Sequence, residues 1–233
     1  MVALLAFIAL IGLGTWQLER KAWKEGLIAT LDERLTAAPQ ALPPLERWSD
    51  LDPANDEYRR VSFAAMFAAD EALIYAIGST FRPDVSGPGY WVFAPTAFGA
   101  GALVVVNRGF VPEGRQDPAT HPPPGGPVQL TGSLRWPEQR GFFSAKDDPA
   151  RNQFFVRDHL AIAAAKGWGT VAPFYVELET PTGANNLPRA GRLVPSLRND
   201  HLQYALTWYG LAAVLAIAFA FWIRSRRREV LPG

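Results

Sequence analysis

Three histidines and no cysteines are spread over 233 residues. Only one of the three stands where a metal-ligating imidazole has a physical reason to be. His201 lies one helical turn ahead of Tyr204–Ile223, a stretch of 20 residues without a charge. A neutral imidazole offers a nitrogen lone pair to a borderline metal, and haem iron is a common acceptor. One turn on, Tyr204 and Ala205 share the face of His201, and Trp208 follows. Ala205 is small enough for a flat macrocycle to lie against the helix, with the aromatic rings at its edges. Arg20, Lys24 and Arg198 are the cations available for propionates at a membrane interface. The plainer alternative is that His201 anchors a helix at headgroup depth. Spacing alone leaves both open.

The remaining candidates for chemistry are weaker. His121 opens the proline loop HPPPGGP (His121–Pro127) and His159 falls on a short helical segment; both are expected to be solvated. A closed structural zinc site is not expected from three scattered histidines. The chain carries neither a phosphate loop with its lysine nor a G-x-S-x-G nucleophile pattern. No enzymatic activity is therefore expected. A formal net charge of +1, with its one dense basic run in the tail at Arg224–Arg228, gives no case for nucleic acid.

Two apolar ends position His201. Tyr204–Ile223 has the length a helix needs to cross a hydrocarbon core of about 30 Å, and the arginines after it mark a cytoplasmic stop. Met1–Leu18 is also free of charged side chains, and eighteen helical residues span about 27 Å. A retained helix is expected there rather than a cleaved leader, because a basic leading segment and a small-residue cleavage site are both missing. The missing leader also raises the prospect of a start codon further upstream. The charges disagree about orientation: Arg20, Lys21 and Lys24 pull one way and the C-terminal arginines the other. The C-terminal block is denser and undiluted by acids, which predicts both termini in the cytoplasm and the central domain outside. The lack of cysteine fits an oxidising compartment.

The expected organisation is a first transmembrane helix at 1–18, a helical extension at 19–38 loosened at Gly26, a β-rich extracytoplasmic domain at 39–198, a second transmembrane helix at 199–223 and a basic tail at 224–233. Within the domain, Tyr58–Phe67 and Leu73–Ile77 flank Asp70-Glu71 as one hairpin. Tyr90–Phe98 and Leu103–Asn107 flank Gly99-Ala100-Gly101 as a second. Val128–Arg135 and Phe174–Glu177 read as further strands, and Asp158–Lys166 as a capped helix ending at Gly167. The fold class is thus a membrane protein of α+β type: two terminal helices flanking a mainly antiparallel β domain, barrel or sandwich, with one short helix.

Three long segments resemble the surfeit-locus family of cytochrome c oxidase assembly proteins: LGTWQLERKAWK (Leu13–Lys24), VVNRGFVP (Val105–Pro112) and LRNDHLQYALTWYGLA (Leu197–Ala212). Weaker matches are YRRV at Tyr58–Val61, GPGYWVFAPT at Gly87–Thr96 and NQFFVRD at Asn152–Asp158. They occur in the family's order along essentially the whole chain. Phe110 departs from the pattern, which more often has tryptophan there.

The resemblance implies two transmembrane helices around a domain on the outer face of the membrane, periplasmic for a bacterial inner-membrane protein. It implies a chaperone role in respiratory-chain biogenesis, supplying or protecting haem a for the oxidase catalytic subunit, with haem a synthase as a candidate source. It also implies haem a binding through the histidine of the second helix, which corresponds to His201. On that reading His201 is the axial ligand, Tyr204 and Trp208 flank the ring, and Arg20 and Arg198 pair with propionates. The β domain then docks the partner, with Asn107, Arg108, Gly109 and Phe110 as candidate contact residues at a turn. The competing reading is a cofactor-free membrane scaffold that holds an oxidase intermediate.

Overall fold

The computed structural model describes residues 1–99, 101–183, 185–195 and 198–230, the last four as backbone alone. In chain order the elements are α1 (Val2–Thr36), β1 (Gln40–Ala41), a 3-10 turn (Leu45–Asp50), the one-turn α2 (Pro53–Asp56), β2 (Arg60–Phe67) and β3 (Ala72–Ile77). Then follow β4 (Pro88–Phe98), β5 (Ala102–Pro112), β6 (Pro127–Arg135), β7 (Gln153–Phe154), α3 (His159–Lys166), β8 (Val171–Leu178) and α4 (His201–Val230).

Residues 31–196 form one compact unit, and residues 1–30 with 197–233 form another. The first is a barrel. Antiparallel pairs join β2 to β6, β6 to β8 and β4 to β5, and a parallel pair joins β5 to β8. The ring closes where Met66 and Phe67 of β2 meet Ala97 and Thr96 of β4. β3 takes the first half of the same β4 edge, from Ala72↔Phe93 to Ile77↔Pro88. Three consecutive barrel strands, β2, β4 and β5, are followed by a fourth, β6, that returns beside the first, which is the Greek-key order. β8 then closes the ring between β6 and β5. Of barrel and sandwich, the chain forms the barrel.

The glycine-turn hairpin forms as expected, with Phe98 opposite Ala102; Ala100 of that turn lies outside the described residues. The other expected hairpin does not form. β2 is flanked by β1, β6 and the end of β4, whereas β3 pairs with β4 and β7. The would-be tip is tied down instead. Asp70 accepts from Trp168 Nε1 at 2.7 Å and pairs with Lys166 at 2.9 Å, while Glu71 is buried.

Two apolar clusters use opposite parities of the same strands, as the period-two alternation of a strand requires. Val61, Phe63, Val104, Val106, Leu134, Phe174 and Val176 form one, reached by Trp48 from the 3-10 turn, whose ring lies 5.5 Å from that of Phe174. Val105 and Tyr175 join Ile74, Trp91, Phe93 and Ile162 of α3 in the other. α3 is delimited as its sequence predicts: Asp158 accepts from the Leu160 and Ala161 amides, and Gly167 ends it at φ 68°.

The other unit is a pair of helices. α1 is continuous for 35 residues, so the predicted extension is the same helix and Gly26 does not interrupt it. An internal glycine costs a helix only about 0.5–1 kcal/mol relative to alanine. The more buried residues of α1 recur at Ala3, Phe7, Leu10, Gly14, Gln17, Lys21 and Lys24, and those of α4 at His201, Ala205, Trp208, Ala212 and Leu215. Alternating steps of four and three make a heptad seam. Gly14, Ala205 and Ala212 let the backbones approach, as small residues do between membrane helices. A Cβ at Gly14 would stand 2.6 Å from the Tyr209 ring. Both helices are long and apolar enough to cross a membrane.

Candidate functional site

Where the apolar seam ends, its side chains become polar, and there His201 finds a partner on α1. His201 Nδ1 lies 2.7 Å from Gln17 Oε1. A carboxamide oxygen only accepts, so the imidazole donates from Nδ1, and its lone pair sits on Nε2. His201 is half-buried, and among the described residues no hydrogen bond engages Nε2. A neutral nitrogen donor with its tautomer set by a partner on the other ring nitrogen is the arrangement found at metal-ligating histidines. That donor chemistry fits an axial haem ligand.

Two turns on from Gln17 in α1, Lys24 Nζ donates to the Arg198 carbonyl oxygen, and within the same helix Lys21 pairs with Glu25 at 2.6 Å. Thr15 and Tyr209 hydroxyls meet at 3.1 Å on the apolar side of His201. The Lys24 and Thr15 bonds tie α1 to α4 and to the residues leading into it, on either side of the imidazole.

The other predicted haem residues are placed less closely. Trp208 is half-buried on the seam with His201, whereas Tyr204 is 57% exposed and off the seam. Arg20 is exposed and stacks on Trp23, 4.0 Å from its ring centroid. Arg198 is exposed and ion-paired with Asp200. Both arginines leave their guanidinium groups open to solvent, but neither is drawn to His201. Ala205 corrects an expectation: it is 1% exposed, so its small face is covered within the helix pair and is not free for a macrocycle. Gln17 is the site residue that composition and motif reading missed. Its signal was there: counting the heptad on from Gly14 puts it on the seam as the one uncharged polar side chain of α1 there.

Asn107, Arg108, Gly109 and Phe110 do not form a docking surface. They lie in the interior of β5 rather than at a turn, and Asn107, Arg108 and Phe110 are each 0% exposed. Gly109, at φ +122°, has room for no side chain, since an added Cβ would meet the Arg189 and Ala190 backbone. Arg108 reaches inward: Nη1 donates to Glu71 at 3.1 Å and Nη2 to the His121 carbonyl at 2.7 Å. Burial pulls its guanidinium below the usual arginine range, and Glu71 offsets part of that.

Neither remaining histidine is solvated, contrary to expectation. His121 is 1% exposed, with Nε2 at 3.0 Å from Glu71 and Nδ1 at 3.0 Å from the Thr120 hydroxyl. The loop it opens is thus pinned to the barrel. His159 is fully buried and donates from Nε2 to the Ala172 carbonyl at 2.9 Å. Burial depresses it to about 4, the Ala172 and Asp158 oxygens only partly opposing that. Local pattern could not show either case, because Glu71 lies 50 residues from His121 and Ala172 lies 13 residues from His159, beyond the end of α3.

A second charged group lies at the end of β6. Arg157 pairs with Glu138 at 2.5 Å and Arg135 with Glu57 at 3.2 Å, around a buried Tyr175 and Glu177. Arg157 and Glu138 also line a groove of about 510 Å³ along the end of β3 and the residues after it, Ile74 to Thr80.

These features define a class: a Greek-key barrel domain inserted between two helices of membrane-spanning length, whose seam ends in a hydrogen-bonded histidine. Comparison with known proteins narrows it. A model of the SURF1 family matches residues 4–213. Surfeit locus protein 1 of Homo sapiens is 34% identical over 227 residues, which is 91% of this chain and 73% of that protein. The SURF1-like protein of Drosophila melanogaster is 36% identical over 219 residues, covering 87% and 70%. That of Monosiga brevicollis is 32% identical over 233 residues, covering 95% and 85%. The chain belongs to the SURF1 family.

Proposed function

We propose that this protein is an assembly factor for haem-copper cytochrome c oxidase that holds haem a at the outer edge of the membrane and passes it to the oxidase catalytic subunit. Family membership supports the assembly role, and the observation that carries the haem reading is the Gln17–His201 hydrogen bond. It leaves Nε2 of His201 as an unpaired donor where an amphiphilic cargo has its polar and apolar parts divided. Haem a suits such a carrier because its long farnesyl tail keeps it out of water. Arg20 and Arg198, with exposed guanidinium groups at the same polar end of the helices, are the candidates for its propionates; Trp208 and Tyr204 are the candidates for its ring. One histidine ligand holds the cargo less firmly than two, which favours transfer, and transfer runs only if the catalytic subunit binds haem a more tightly. Haem a synthase is the candidate donor. The domain lies outside the cytoplasmic membrane of a bacterium, with both termini inside. The activity is delivery, not catalysis.

The test is purification of the full chain from cells that make haem a. Wild type should co-purify haem a, visible in its absorption spectrum, and His201→Ala should lose most of it at equal expression and membrane insertion. Unchanged haem content in a well-inserted His201→Ala protein rejects the ligand and leaves the cofactor-free scaffold as the better account.

A further inference from the structure

Gln17 is not needed to hold the helix in a bilayer. A carboxamide buried at a helix seam loses hydration and must be compensated by its hydrogen bonds, so its presence at this depth calls for a function. Its one side-chain hydrogen bond among the described residues goes to His201 across 184 residues of sequence. The neighbouring seam position toward the apolar side is Gly14, closed against Tyr209, and the Thr15–Tyr209 contact fixes the relative height of the helices. Lys24 and the Arg198 carbonyl fix it again from the polar side. The carboxamide is therefore held in place beside the imidazole.

An imidazole free in solution carries its proton mainly on Nε2, the nitrogen farther from the backbone. That form would present a proton where a ligand must present a lone pair. Gln17 accepts from Nδ1 and so selects the opposite tautomer. We propose that Gln17 is a positioning residue for the haem-binding step: it acts through His201, setting the tautomer and the ring orientation that leave Nε2 as the donor. This rests on the reading of His201 as the haem ligand, and it assigns the first helix a part in binding that the ligand alone does not imply. A neutral amide polarises the imidazole less than the carboxylate that often backs a metal-bound histidine. The donor is thereby oriented without being made more anionic, which suits a cargo that must be given up.

The tautomer can be read without haem. In full-length apo protein labelled with 15N-histidine in detergent, the His201 signals should show Nδ1–H and a bare Nε2. Gln17→Leu should move the proton to Nε2, while Gln17→Glu, which restores an acceptor, should keep it on Nδ1. Titration of purified haem a into the same three proteins should give about 10- to 100-fold weaker binding for Gln17→Leu, the usual cost of losing an outer-shell partner. Gln17→Glu should retain binding and release haem a more slowly than wild type. An Nε2–H tautomer in wild type overturns the inference, as does a Gln17→Leu protein with unchanged tautomer and affinity. The two readings fail separately. If His201→Ala retains haem a, the ligand assignment falls, and the apo spectra still decide whether Gln17 sets the His201 tautomer. Leucine is compatible with an apolar helix, so insertion of Gln17→Leu is expected, and Gln17→Glu controls for packing.

Discussion

His159 shows how a single buried side chain ties this fold to pH. Its Nε2 proton is satisfied by Ala172, but Nδ1 is buried without a partner, so a second proton would enter with no acceptor. The folded-state value near 4 lies below the ordinary value of 6.5. Between the two, the unfolded chain binds more protons than the folded one. Stability is then fully present above pH about 6.5 and is lost progressively as pH falls toward 4, by about 3 kcal/mol in all. Chemical denaturation of the full chain across pH 4–7, followed by tryptophan fluorescence, should show that fall. His159→Gln, which keeps a donor for Ala172 and cannot titrate, should flatten it. A wild-type slope retained in His159→Gln would place the acid sensitivity elsewhere. Arg108, Glu71 and His121 are a different case at the same scale. Glu71 pairs with Arg108 and hydrogen-bonds the His121 ring, so removing one member leaves a buried polar group without its partner, and the VNRGFVP side chains from Asn107 to Phe110 serve the interior of the barrel.

At the scale of elements, what was legible in the sequence was whatever local periodicity determines. The two apolar helices, the β4–β5 hairpin with its glycine turn and the capped α3 were all readable, because each is specified by residues within a few positions of one another. The β2–β3 hairpin was misread because Asp70-Glu71 has turn chemistry, yet its partners, Lys166, Trp168, Arg108 and His121, lie far along the chain. The barrel closure and the parallel β5–β8 pair depend on such distant matches too, and so does the link between Gln17 and His201. The helix seam makes its own prediction. Replacing Gly14 with leucine puts side-chain atoms where the Tyr209 ring now stands, so the helices should separate and the Gln17–His201 bond should lengthen or break. In the 15N-histidine-labelled apo protein, Gly14→Leu should move the His201 proton off Nδ1, and haem a co-purification should fall several-fold. Unchanged spectra and haem content would mean the seam tolerates bulk and does not set the site.

For the whole molecule, the directional question is which side of the membrane holds the barrel. A reporter active only outside the cytoplasm, inserted at Gly125 in the loop between β5 and β6, should be active. The same reporter fused after Gly233 should be silent. Gly125 is a suitable insertion point because nothing stands within 4 Å of where its Cβ would be. The reverse pattern would invert the topology and put His201 on the cytoplasmic face, out of step with the proposed delivery.

The hydrogen bond between residues 17 and 201 also has a consequence for how the protein is made. Synthesis proceeds from the N-terminus, and domains form in that order, so Gln17 enters the membrane long before its partner exists. On the proposed topology the barrel is translated and transferred before α4 inserts, and only then does the imidazole meet the amide. A ribosome that stalls, or a barrel that fails to clear the membrane, leaves a first helix with no donor beside it. If His201 takes up haem as proposed, competence to hold a reactive, redox-active pigment would be withheld until α4 is in place, and a chain stalled before it would carry none into the bilayer.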